Sequence, residues 1–149
     1  MMRKLAMGFL LVLASCSEPA PPPPPANAIE PGTIDYFDIT QNKLFGSGCN
    51  FVADGGGMGA ILMALEAEAV LKLNGKLVKI AADKASKPLK QGSWTRYADP
   101  AYILALTSVD DGKGKVNGVV EMLTAQMTLS DGAGKALFTA KGQAQCKPM

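Results

Sequence analysis

Asn74-Gly75 sits at the centre of a stretch, Glu68 to Ala82, whose apolar and polar residues alternate on both sides of the pair. A type I′ turn needs positive φ at both central positions, a conformation Asn and Gly adopt at low cost. With that pair as the turn, Leu73 faces Lys76, Leu71 faces Val78 and Ala69 faces Ile80. Apolar positions then continue across the hairpin on one face, while Glu68, Lys72 and Lys79 take the other. Val70 and Leu77 also fall on that second face, so it is expected to be partly covered. Turn chemistry and periodicity agree, and together they point to antiparallel β-structure.

The rest of the chain repeats this grammar of strand and turn. Ile34 to Thr40 alternates imperfectly, Cys49 to Ala53 is a short apolar run, and Gly55-Gly56-Gly57 with Gly59 interrupts any regular element. Ala60 to Leu73 is rich in helix formers, but it lacks cap signals and leads straight into the hairpin, so strand is expected there. A polar loop, Asp83 to Gln91, precedes strands over Ser93 to Tyr97 and Ala101 to Val109, separated by the Asp99-Pro100 turn. Strands at Val116 to Leu123, Met127 to Leu129 and Ala136 to Cys146 surround two related turns, Asp111-Gly-Lys-Gly-Lys115 and Asp131-Gly-Ala-Gly-Lys135. The echo reads as repeated turn chemistry in consecutive hairpins. The expected fold is all-β: a single antiparallel β-sandwich or partly closed β-barrel over residues 33–149.

Ahead of this domain the chain is organised for export. Arg3 and Lys4 precede an apolar run, Leu5 to Ala14, far shorter than the roughly 20 residues a membrane-spanning helix needs. Leu13-Ala14-Ser15-Cys16 resembles the lipobox of bacterial lipoproteins. The resemblance implies a leader over residues 1–15, a diacylglycerol on the Cys16 thiol and further acylation, a palmitate-type anchor. Ser17, where an aspartate would resemble an inner-membrane retention signal, implies sorting to the outer membrane with the domain facing the periplasm. Residues 16–32 then carry Pro19, Pro21 to Pro25 and Pro31, a composition that favours an extended, semi-rigid spacer.

Lys and Arg number 15 against 13 Asp and Glu, but Arg3 and Lys4 belong to the leader, so the chain beyond it is balanced. Lysines are interleaved with apolar residues and only Arg96 remains as an arginine, which gives no footprint for nucleic acid. Cys16 is taken by the anchor. Cys49 and Cys146 are then an even pair in an oxidising compartment, near the two ends of the folded portion, and are expected to form a disulfide.

Chemistry is constrained by composition. The chain has no histidine, which removes Ser-His-Asp and Cys-His machinery and histidine-containing metal sites. Gly132-Ala133-Gly134-Lys135 lacks the spacing and hydroxyl residue of a phosphate loop, and Asp110, Asp111 and Asp131 do not follow calcium-loop spacing. Neither Glu66 with Glu68 nor Asp110 with Asp111 identifies a reaction. No catalytic residue, cofactor or metal is therefore expected. Trp94, Arg96, Tyr97 and Tyr102 form the candidate binding group, because these residue types dominate many interface hot spots.

These readings converge on a non-enzymatic envelope lipoprotein with a protein-binding or structural role, held to the membrane by its N-terminal lipid. A small-ligand or glycan module is the second expectation and needs a concave pocket; an envelope enzyme is the third. In pairing a lipobox with cysteines in a compact domain, the chain also resembles the small lipid-anchored β-barrel lysozyme inhibitors. That resemblance is architectural and implies a lysozyme as partner.

Overall fold

A computed structural model of the protein describes residues 29–110 and 113–148. Cys16, the leader and the spacer up to residue 28 lie outside the described residues, as does the Asp111-Gly112 start of the first glycine turn. The elements are α1 (Tyr36–Gln41), β1 (Gly48–Ala53), β2 (Leu62–Leu65), β3 (Glu68–Leu73), β4 (Lys76–Ala81), β5 (Arg96–Ala98), β6 (Tyr102–Ser108), β7 (Lys115–Asn117), β8 (Val120–Asp131) and β9 (Ala136–Lys147).

Hydrogen-bonded neighbours run β4-β3-β2-β1-β9-β8-β6-β5, with the short β7 beside β8, and the pairings are antiparallel. Apart from β7, which pairs β8 and not β6, and the β4–β5 step between the two ends of this order, successive strands are neighbours in space, and the last returns to lie against the first. An isolated bridge from Ala82 to Tyr97 links the two remaining edges. The sheet thus rolls into a nearly closed barrel, which leaves little open edge for unwanted pairing.

Alternation along each strand decides what fills it. Phe51, Leu62, Leu71, Ile80, Tyr97, Leu104, Leu106, Leu123, Met127 and Leu129 are fully buried and form one cluster with the two cysteines. Cys49 and Cys146 face each other across β1 and β9 and are joined as a disulfide with Cα atoms 4.0 Å apart. The β3–β4 hairpin has the register required by an Asn74-Gly75 turn, with Leu73 opposite Lys76, Leu71 opposite Val78 and Ala69 opposite Ile80. Positive φ at Asn74 (50°) and Gly75 (75°) makes that turn.

The covered second face of the hairpin has a specific cover. Met63, Leu65 and Val70 point outward and pack with Ile34 and Leu44, joined by Ile39 and Leu77, in a second cluster. Ile34, Ile39 and Leu44 come from the segment around α1, so the helix lies over the outer wall of β2 to β4. Lys72 on that wall pairs with Asp38 at 2.8 Å and with Asp35 at 3.6 Å, fastening the helix. Here the strand expected over Ile34 to Thr40 is corrected. Asp35 accepts from the Asp38 amide while Asp38 accepts from the Asp35 amide, a reciprocal capping box that starts α1.

Two further boundaries differ from the sequence reading. Val116 to Leu123 is not one strand, because Gly118-Val119 turns the chain between β7 and β8, with Asn117 opposite Val120. β8 instead continues unbroken through Met127 to Asp131. The packed chain also begins before Thr33: the Ile29 amide donates to the Leu137 carbonyl at 3.3 Å, Pro31 is buried, and the Gly32 amide donates to the Lys72 carbonyl at 2.7 Å.

Candidate functional site

The register gives the barrel two unlike ends. At one end lie the Asn74-Gly75, Asp99-Pro100 and Asp131–Lys135 turns and the 54–61 loop, together with Ile29, where the described chain enters. The other end, called the rim here, carries the 83–95 loop, the long excursion from β6 through β7 to β8, and the end of β9.

The 83–95 loop folds over the rim as a cap. Leu89 and Trp94 pack against the interior cluster, and the fully buried Ser93 hydroxyl donates to the Lys90 carbonyl at 2.6 Å while lying 3.2 Å from Cys49 Sγ. Lys90 reaches Glu121 at 3.7 Å on the far wall. The disulfide therefore lies beneath the cap rather than open to solvent.

Trp94 and Tyr97 stitch this cap to the β2–β3 turn. The half-buried Trp94 donates from Nε1 to the Glu66 carbonyl at 3.0 Å. Tyr97 has no exposed surface; its hydroxyl donates to the Leu65 carbonyl at 2.7 Å and accepts from the Trp94 amide at 3.0 Å. Burial pushes its phenol up to about 12. Arg96 is exposed on β5 and is held 2.7 Å from Asp83, whose carboxyl that bond pulls below its usual range. Tyr102, packed against the interior cluster, sits opposite Asp131 toward the entry end. The four expected binding residues are thus dispersed: Trp94 and Arg96 keep accessible surface near the rim, Tyr97 is interior, and Tyr102 belongs to the other end.

Tyr97 gives two linked expectations. Tyr97→Phe strips a partner from both the Leu65 carbonyl and the Trp94 amide, which should cost about 1–3 kcal/mol in urea unfolding. An unfolded tyrosine ionises near 10, below the folded value. The stability held by the neutral phenol is therefore complete below pH 10 and is lost as the pH rises toward 12. Absorbance titration should find a phenolate forming at about pH 12 in the native protein and missing from the variant.

Sequence reasoning overlooked what the topology gathers at the rim. Exposed large apolar residues there are Phe45, Val109, Val116 and Val119. Lys84 and Lys87 on the cap and Lys113 and Lys115 at β7 are exposed at the same end. A groove of about 550 Å³ runs between cap and β6, lined by Lys87, Lys90, Thr95, Thr107 and Ser108 among others. Ser108 is itself bonded to Asp110, which also accepts from the Thr124 amide at 3.0 Å. Lysine and threonine with Pro88 and Leu89 around this groove suit polar and apolar contact with a convex partner surface. Among the described residues no cluster of three or more His, Cys, Asp or Glu side chains is placed to hold a metal ion.

The second glycine turn is accounted for locally. Asp131 accepts from the Ala133 amide at 3.0 Å and the Lys135 amide at 2.9 Å, so these two amides are committed within the hairpin and not offered to an anion. No family model matches the chain, and comparison with curated proteins and with solved structures finds no match.

Proposed function

We propose that the protein is a non-enzymatic lipoprotein of the cell envelope that captures a protein partner with the rim of its barrel. The observation that carries this reading is the composition of the rim. Exposed valines and the exposed cap lysines Lys84 and Lys87 collect at the end opposite the chain's entry point, above an interior filled with side chains. A tether attached at the entry end leaves the rim the freer of the two ends. The packed interior favours surface recognition over enclosure of a small ligand.

The test is crosslinking in cells from the full chain, followed by affinity purification and mass spectrometry. The rim variant Lys87→Glu/Val116→Ser/Val119→Ser is compared with the native sequence. A partner recovered with the native chain and lost about tenfold or more with the rim variant is the expected result. Equal recovery by a folded rim variant would remove the rim from the proposal.

A narrower reading takes the partner to be a lysozyme. It is supported by the barrel stapled through its first and last strands and by the lysines at the groove, which suit a cleft built around two catalytic carboxylates. Micromolar protein should then inhibit at least one lysozyme class, with inhibition abolished by Lys87→Glu. Uninhibited activity across several classes would sink this reading.

A further inference from the structure

The entry end of the barrel carries its own exposed apolar group, separate from the rim. Tyr36 and Phe37 open α1 and are 73% and 67% exposed, their rings edge to face at 6.2 Å. Met58, on the glycine-rich 54–61 loop, is 97% exposed. The two segments are neighbours: the Ile34 amide donates to the Ala60 carbonyl at 2.8 Å, and a Cβ on Gly59 would stand 2.1 Å from the Thr33 side chain. Neither aromatic ring is needed by the helix's cover of the wall, which Ile34, Ile39 and Leu44 supply.

Where the chain enters decides what such a group can meet. Ile29 is bonded to Leu137 at the start of β9, and Gly32 to Lys72 beside the Asn74-Gly75 turn, both at this same end. Between Ile29 and Cys16 stand on the order of a dozen residues, about 45 Å if fully extended. A lipid on Cys16 therefore keeps a bilayer within that distance of Ile29, at the end of the barrel that carries Tyr36, Phe37 and Met58. At such range a surface too weak to bind membranes from free solution is populated, because tethering supplies a high effective concentration. The acidic groups beside the aromatic pair do not oppose contact with neutral headgroups, since Asp35 and Asp38 are paired with Lys72.

We infer that Tyr36, Phe37 and Met58 dock the entry end of the barrel on the bilayer interface, so that the domain stands on the membrane with its rim outward. Tyrosine suits this position because its ring is apolar and its hydroxyl remains in the headgroup layer. The inference rests on the lipoprotein reading, and the experiment separates the two.

Full chain matured in a lipidating host is reconstituted into phosphatidylcholine vesicles with brominated acyl chains. Flotation reports the anchor and tryptophan quenching reports the contact. Trp94, the single native tryptophan, lies at the rim and serves as the internal reference. The expected result is flotation, little quenching of Trp94, and about twofold or greater quenching of the additional indole introduced by Phe37→Trp. That quenching should fall when Tyr36→Ser/Met58→Ser is added. Flotation without quenching of the introduced indole overturns the docking and leaves the anchor standing. Strong quenching of Trp94 overturns it by placing the rim against the lipid. Failure to float, with no lipid on Cys16 by mass spectrometry, overturns both readings together.

Discussion

Replacing Cys49 and Cys146 together with alanine should lower the stability of the barrel by about 3–5 kcal/mol. The two residues are separated by 97 positions, and closing a loop of that length removes about 4.7 kcal/mol of freedom from the unfolded chain in the entropic account. The bond also joins β1 to β9, the pairing between the first and last strands. Both cysteines are fully buried, so alanine additionally leaves space beneath the cap and removes the sulfur against Ser93. Urea unfolding of the double variant should give a much lower midpoint, and the native protein under reductant should approach it. A midpoint unchanged within error would mean that strand pairing alone specifies the closure.

Gly142→Val should cost about 3 kcal/mol or more, without removing any contact. Gly142 lies on β9 opposite Ala53 of β1 and Ala125 of β8, at a position where the side chain would point inward. A Cβ there would fall 2.0 Å from the Val52 carbonyl oxygen and 2.9 Å from the Ala53 Cα. Those are backbone atoms of β1 held in register by their pairing with β9 itself, so they cannot rotate away as a flexible side chain would. The glycine marks where β9 bends tightly against β1 to bring the barrel round. Gln143→Val, one residue along on the exposed outer wall, is the control and should stay within about 0.5 kcal/mol of the native protein. Equal thermal midpoints for the two variants would refute this account of closure.

How much of this was legible in the sequence depends on how many neighbours each segment has. The β3–β4 hairpin was readable because one face is interior and the turn residues are explicit, so even its register followed. β2 was hard for the opposite reason. Leu62 and Ala64 face the barrel interior while Met63 and Leu65 face the helix segment, and with both faces covered the period of two disappears. What remained was Leu, Met and Ala, which read equally as helix. α1 shows the converse error: the helix starts on the reciprocal Asp35 and Asp38 capping pair, but the branched and aromatic residues around it favoured a strand reading.

The candidate site was less legible than the fold. Trp94, Arg96, Tyr97 and Tyr102 are close in sequence, yet the β5–β6 hairpin sends Tyr102 toward the opposite end from Trp94 and turns Tyr97 inward. Conversely, Lys87 and Val116 are distant in sequence and lie at the same end of the barrel because of strand direction alone. A local motif search has no means of finding such a surface. The disulfide was readable because even pairing of cysteines is a counting argument that needs no geometry.

The adjacency of β1 and β9 also sets a schedule for synthesis. β1 through β4 can pair locally as they emerge, but the outer edge of β1 has no partner until the final strand exists. At about 5–20 residues per second, the interval between Cys49 and Cys146 corresponds to roughly 5–20 s, during which Phe51 and Leu62 lack an enclosing wall. On the lipoprotein reading proposed above, in which a leader directs the chain out of the cytoplasm, this delay is useful. A polypeptide that cannot close before β9 is made remains threadable, and on that reading closure and oxidation would be deferred together to the far side of the membrane.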